Sequence, residues 1–229
     1  MSNFCDAFLQ EAERHAAWGT AQLEALDAVL PDGPWDVDLD TGVYRQGGRE
    51  VRVAVLATYD LFERTWMWGW ANPGLRGAPV VDATERVRDF GQAHGLPEFT
   101  EEVLDLSGFA DPRRAAETLA FAAMGVTGAA GYLGVEAGPS TRLYLLLNDP
   151  RVPLAGVDPL TLPRILTTGA TLIGRSPRLA VSGYLDHFRL VQRQKETGIS
   201  ADLPDGGTVD VGFDGSGRIA SVRVFPAGR

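Results

Sequence analysis

The order of apolar and polar residues divides the chain into stretches of two different periods. Phe4, Phe8, Ala12, His15, Gly19, Leu23, Leu26 and Leu30 recur at helical spacing and fall near one face. They predict one long helix over Asp6 to Leu30, stopped by Pro31-Asp32-Gly33-Pro34. From Trp35 the period drops to two. Trp35, Val37 and Leu39 alternate with Asp36, Asp38 and Asp40; Val51, Val53, Val55 and Ala57 alternate with Arg52, Ala54, Leu56 and Thr58; Trp66, Trp68 and Trp70 alternate with Met67, Gly69 and Ala71. With turn signals at Thr41-Gly42 and Gly47-Gly48, this is a β-meander ending at Asn72-Pro73-Gly74. A loop over Asp60 to Glu63 would pair Tyr59 with Arg64, and would set Ala57, Val55 and Val53 opposite Trp66, Trp68 and Trp70.

Helical periodicity then returns. Asp82 with Glu85 reads as a capping box, with Val81 as staple, for a helix that stops at Gly95. Asp111-Pro112 starts another that runs through Met124, Thr141 to Leu147 reads as a strand, and Asp158 to Gly174 contains a short helix. In the tail, Val181, Tyr184, Leu185, Phe188 and Val191 predict a helix closed by Gly198. Thr208–Phe213 and Arg218–Phe225 around Asp214-Gly215-Ser216-Gly217 predict a hairpin. The fold class is therefore α+β: a long N-terminal helix on an antiparallel meander, further helices, and a C-terminal helix and hairpin appendage.

Charge adds a boundary. The net charge is −9; the first 174 residues carry −11 and the rest +2, and Arg175-Ser176-Pro177-Arg178 reads as a breaker. Two domains are expected, a core over 1–174 and an appendage over 175–229. The acidic balance makes nucleic acid a poor partner. Cys5 is the only cysteine, so neither an internal disulfide nor a CxxC metal site can form. No signal-peptide layout and no membrane-spanning apolar run is found, which points to the cytoplasm.

Most catalytic signatures are absent: there is no Walker loop, no HExxH and no GxSxG. Gly125, Gly128, Gly131 and Gly134 follow a helix rather than a strand and read as a turned connection, not a dinucleotide site. Asp36, Asp38 and Asp40 are followed by Thr41 and Gly47 where a calcium loop needs glycine and a bidentate acid, so they read as a solvated face. No metal and no cofactor are expected. His94 precedes Gly95 and His187 sits beside Phe188, but His15 lies on the apolar stripe of the first helix. It is either a satisfied core histidine or a proton carrier.

All five tryptophans, at 18, 35, 66, 68 and 70, lie in the first 70 residues. Trp66, Trp68 and Trp70 share one strand face, which is either core or the wall of an indole-lined pocket. Thr65-Trp66-Met67-Trp68-Gly69-Trp70-Ala71-Asn72-Pro73 resembles the WxWxWAN signature of an actinobacterial family of unknown function. Phe8, His15 and Trp18, then Trp35-Asp36-Val37-Asp38, and Leu106-Ser107-Gly108-Phe109 resemble other segments of the same family. The resemblance runs to about Gly174, is less typical beyond it, and implies no activity.

Two functions remain open. The first is a non-catalytic cytoplasmic binding or interaction module, immunity-like, chaperone-like or regulatory. The alternative is a small-molecule enzyme or carrier with a pocket between the first helix and the Trp face. Its binding residues would be His15, Tyr59, Asp60, Trp66, Trp68, Trp70 and Asn72. The partner is another protein or a small molecule, and the sequence sets no oligomeric state.

Overall fold

The computed structural model describes residues 3–227. Helix α1 (Asp6–Asp27) is followed by strands β1 (Trp35–Asp38), β2 (Val43–Gln46), β3 (Arg49–Asp60) and β4 (Thr65–Trp68). Helices α2 (Asp82–His94) and α3 (Pro97–Thr100), strand β5 (Val103–Asp105), helix α4 (Pro112–Thr127) and the pair β6 (Gly131–Glu136) and β7 (Thr141–Leu147) come next. Helices α5 (Leu162–Leu172) and α6 (Pro177–His187) precede a second sheet of β8 (Gln192–Lys195), β9 (Gly198–Asp202), β10 (Thr208–Phe213) and β11 (Ile219–Phe225). This is the α+β plan that the periodicity predicts.

The chain divides into two compact units. One holds the residues up to Phe8 and Leu23–Leu154; the other holds Leu9–Gln22 and everything from Ala155 onward. Helix α1 therefore gives its ends to the first unit and its middle to the second. The charge break at Gly174 lies inside the second unit: charge reports what the surface carries, while the units follow packing.

In the first unit, the twelve-residue β3 organises a seven-stranded antiparallel sheet. Its first half pairs with β2, its second half with β4, and β7 runs along its other edge. Val51, Val53 and Val55 pack with Leu143, Leu145, Leu147, Leu26 and Tyr44 in one buried cluster. The β3–β4 register differs from the expected one by two residues: Tyr59 lies opposite Trp66 and Ala57 opposite Trp68. The turn decides this. Asp60 accepts the backbone N–H groups of Phe62 (2.8 Å) and Glu63 (2.9 Å), and Arg64 takes a left-handed φ of 56°, so the loop is Leu61 to Arg64. Because the shift is even, each side chain keeps its face.

The strand also stops earlier than the alternation suggests. Gly69 begins a 3₁₀ turn, Gly69–Ala71, and a Cβ there would lie 2.5 Å from the Val55 carbonyl oxygen. Only glycine allows that approach. Trp70 thus leaves the ladder.

Helix α4 starts as expected, with Asp111 accepting the Arg114 N–H (2.9 Å) and Pro112 in the first turn. Gly128, at φ 63°, ends it. The capping box expected of Asp82 and Glu85 does not form. The 3₁₀ turn Pro79–Val81 runs directly into α2, so Asp82 is already helical and no side chain caps. Strand β6 occupies the segment whose glycines read as a turned connection. Gly131 lies against Leu26 and Gly134 beneath the Arg142 guanidinium, so both are sites of close approach within a strand.

In the second unit, the middle of α1 packs on α5 and α6 through small residues. Ala12, Ala16 and Ala17 have no exposed surface. Gly169 of α5 meets Ala17, and Gly183 of α6 meets the Arg14 backbone, at separations that leave no room for a Cβ. The expected tail helix ends at His187 rather than Gly198. Arg189, at φ 54°, turns the chain, and Gln192–Lys195 forms a strand. Its residues Arg193 and Lys195 reach Asp202 and Asp210 across the sheet, each at 2.7 Å, pairs that a helix would not allow.

Candidate functional site

Helix α1 places Glu11, His15 and Trp18 on one face, because residues three and four apart are neighbours on a helix. Helix α6 is positioned by its start and its glycine. Ser176 caps it by accepting the Leu179 N–H (3.3 Å), and Pro177 fixes the first turn. Gly183 brings α6 down onto Arg14. His187 lies one turn beyond Gly183 on the same face, and so reaches the part of α1 that follows Arg14.

The result is a chain of polar contacts within the second unit. His15 Nε2 lies 3.1 Å from Glu11 Oε1, and His15 Nδ1 lies 2.8 Å from His187 Nε2. The His187 ring stacks on the Trp18 indole at 4.1 Å, with planes 5° apart. Arg14 approaches the second Glu11 oxygen at 3.5 Å. His15 is buried and His187 half-buried. A cleft of about 260 Å³ opens on the pair, lined by Arg14, His15, Gly183, Asp186 and His187.

Chemistry fixes the protons. A carboxylate only accepts, so His15 Nε2 must carry hydrogen toward Glu11. With neutral His15, Nδ1 is then a lone pair and accepts from His187 Nε2–H, which leaves His187 Nδ1 as the unprotonated end of the chain. Burial pushes the His187 imidazole down to about 4, His15 beside it adds to the fall, and Glu11 opposes it. His187 is thus neutral at pH 7. Were both rings protonated, two N–H groups would face each other across 2.8 Å.

The other residues singled out from the sequence do not join this site. Tyr59 is buried on β3, and burial raises its phenol. Asp60 closes the β3–β4 turn. Trp66 and Trp68 have no exposed surface. Trp66 packs on Tyr144 at 4.8 Å, while Trp68 meets Phe99 at 5.8 Å and donates its indole N–H to the Glu98 carbonyl (3.1 Å). Trp70 lies under the Arg88 guanidinium (5.0 Å), and Asn72 accepts the Gly74 N–H (2.9 Å) in a turn. These six belong to the first unit and each has a packing, turn or capping role there. Two clefts of that unit, about 750 and 540 Å³, share Arg52 and Asn148 and contain none of them.

His187 was missed because its partner is 172 residues away, and nothing local marks it beyond its place in the last turn of a helix. Among the described residues no group of His, Cys, Asp and Glu is placed to hold a metal ion, and no helix is long and apolar enough to cross a membrane.

No curated protein and no solved structure matches the chain. A family model does match, over residues 9–150. That segment contains Glu11, His15 and Trp18 and the whole aromatic strand, and it stops short of His187. It covers more than half of the chain, and the protein belongs to this family, DUF6882, a family of unknown function.

Proposed function

We propose that the protein is a non-catalytic binding module of the cytoplasm, and that its second unit takes its partner at the His15–His187 cleft. The observation that carries this reading is the imidazole pair, His15 buried and His187 half-buried, opening on a cleft whose walls offer hydrogen bonds and charge. Arg14, Asp186 and His187 recognise; none of the lining side chains carries a hydroxyl or thiol that could act as a nucleophile. Three of the four ring nitrogens are already engaged, by Glu11 and by each other, which suits a rigid contact surface. The net charge of −9 supports a protein or small-molecule partner over nucleic acid, and the single free thiol of Cys5 is consistent with a reducing compartment.

Affinity capture from the host's own extract tests this, with wild type beside His187→Ala and Arg14→Ala variants that keep the wild-type melt. The expected result is a protein or small molecule held by wild type and lost from both variants. A second reading draws on the same chain of contacts: Glu11 orients His15, and His15 orients His187 with Nδ1 unprotonated, which is how a general base is held. Turnover of an ester, amide or phosphate substrate that His187→Ala abolishes would replace binding with catalysis.

A further inference from the structure

The His15–His187 cleft presents a definite set of donors and acceptors. Trp18 holds the face of the His187 ring at 4.1 Å, and His15 holds its Nε2 edge at 2.8 Å. Together they fix the orientation of the ring. Nδ1 has no partner among the described residues, and unlike Glu13 Oε1 and Ser200 Oγ in the same unit it is open to solvent. With both rings neutral it is an acceptor.

Asp186 supplies a second acceptor. One of its carboxylate oxygens takes an N–H from Gln192 at 2.6 Å, and Gln192 is itself locked by the Ser182 hydroxyl (2.7 Å) and the Ser182 carbonyl (3.0 Å). The other oxygen has no partner among the described residues. Arg14 supplies the donors. Its Nε lies 3.5 Å from Glu11 Oε2, and its two terminal nitrogens have no partner among the described residues. Arg14 and Asp186 are opposite in charge, so with neutral imidazoles the lining carries no net charge.

We propose that the group this cleft takes is a primary carboxamide. The inference rests on the binding reading above and names its ligand chemistry. A single amide group carries the matching set: its C=O accepts from Arg14, one N–H donates to His187 Nδ1, and the other donates to the open oxygen of Asp186. Other small groups leave a mismatch. A carboxylate has only acceptors, and would face the Nδ1 lone pair and the like charge of Asp186. An ammonium has only donors, and would face the like charge of Arg14. A secondary amide has one N–H for two acceptors. An α-amino acid matches the signs, but two charges must leave water for it to bind, whereas the amide brings none.

Nitrogen-15 NMR of the full chain at pH 8 tests this, with propionamide, propionate, propylamine and alanine as probes of similar size. Propionamide should shift the His187 Nδ1 resonance saturably and bind about ten times more tightly than any of the other three. Arg14→Ala and Asp186→Ala should each weaken propionamide about tenfold, while His15 Nδ1 keeps its wild-type resonance and so reports an intact contact between the rings. A short peptide with one glutamine, its ends blocked as acetyl and methylamide, carries the same group. Tighter binding than propionamide would place the amide on a protein partner, and weaker binding on a small molecule. Propionate, propylamine or alanine binding as tightly as propionamide would overturn the amide but leave the cleft as a binding site. Propionamide binding that neither variant weakens would also overturn it. So would a His187 resonance that no probe moves, and the capture experiment above then decides separately whether the cleft has a partner.

Discussion

The aromatic strand of the first unit and the histidine pair of the second are the two most distinctive features of this protein, and they are built in opposite ways. Trp66 and Trp68 are sealed, with ring-to-ring packing on Tyr144 and Phe99. Their neighbours along β4 follow from a period of two. His15 and His187 come from two helices far apart in sequence, meet through a hydrogen bond, and face a cleft. The first feature spends its chemistry on stability. The second leaves one ring nitrogen unspent. A dense local motif is thus taken up by packing here, while a sparse long-range contact is what borders a cleft.

The sharpest way to break this comparison is to remove one side of it. A chain truncated after Gly174 loses α6 and the second sheet, and with them the cover of the Arg14 backbone and Trp18 on α1. The charge shift at Gly174 suggests a dispensable tail; the packing predicts that truncation abolishes the cooperative unfolding of the second unit. Calorimetry reads the difference, and a single unchanged transition would favour the charge-based boundary.

Trp68→Ala acts on the other side. Truncating a buried aromatic costs about 3–5 kcal/mol, a large share of the roughly 5–15 kcal/mol that holds a domain together. Denaturant melts should show a protein at the limit of folding, and native tryptophan emission in wild type should be blue-shifted. A near-wild-type midpoint would mean that the indole lines open space.

Gly183→Ala should cost at least about 1–3 kcal/mol, through overpacking of α6 on the Arg14 backbone, which leaves no room for a Cβ. It should also loosen the imidazole contact without touching either ring, so its histidine resonances should move away from wild type while far-ultraviolet circular dichroism stays. An unchanged histidine spectrum would show that the glycine does not set the contact.

The smallest expected effect is on pH dependence. His187 titrates lower in the folded state, about 4, than the ordinary 6.5 of a free imidazole. Between these values the unfolded chain binds a proton that the folded chain refuses, so this group's contribution to stability falls as pH drops from 6.5 toward 4. His187→Gln should flatten that part of the stability profile. A profile equally steep in the variant would place the effect on other groups.

How much was legible in the sequence follows the same division. Period-two alternation placed β3 and β4 and the shared face of Trp66 and Trp68, because strand geometry is local, and the breakers Gly138-Pro139 and Asp149-Pro150 marked off β7. The β3–β4 register was missed by two residues because it depends on Asp60 and on the left-handed Arg64, which alternation does not report. Strand β6 was hidden by Gly131 and Gly134, glycines that read as breakers but are required by Leu26 and Arg142 from elsewhere in the fold. His15 stood out as a polar residue on an apolar stripe. Its partner could not be found, since no periodicity links residues 15 and 187. The split of α1 between two units was equally out of reach, for a continuous helical pattern carries no mark of which packing partner each turn meets.

The central claim is that His15 and His187 form one hydrogen-bonded unit held by Glu11. Nitrogen-15 NMR of the histidine side chains, followed from pH 8 to pH 3, tests it most directly. The account predicts that His187 stays neutral with its proton on Nε2 at pH 7, accepts a proton only near pH 4, and that its titration moves in Glu11→Gln and His15→Gln variants. Two independent titrations near the ordinary histidine value, unmoved by either variant, would contradict it.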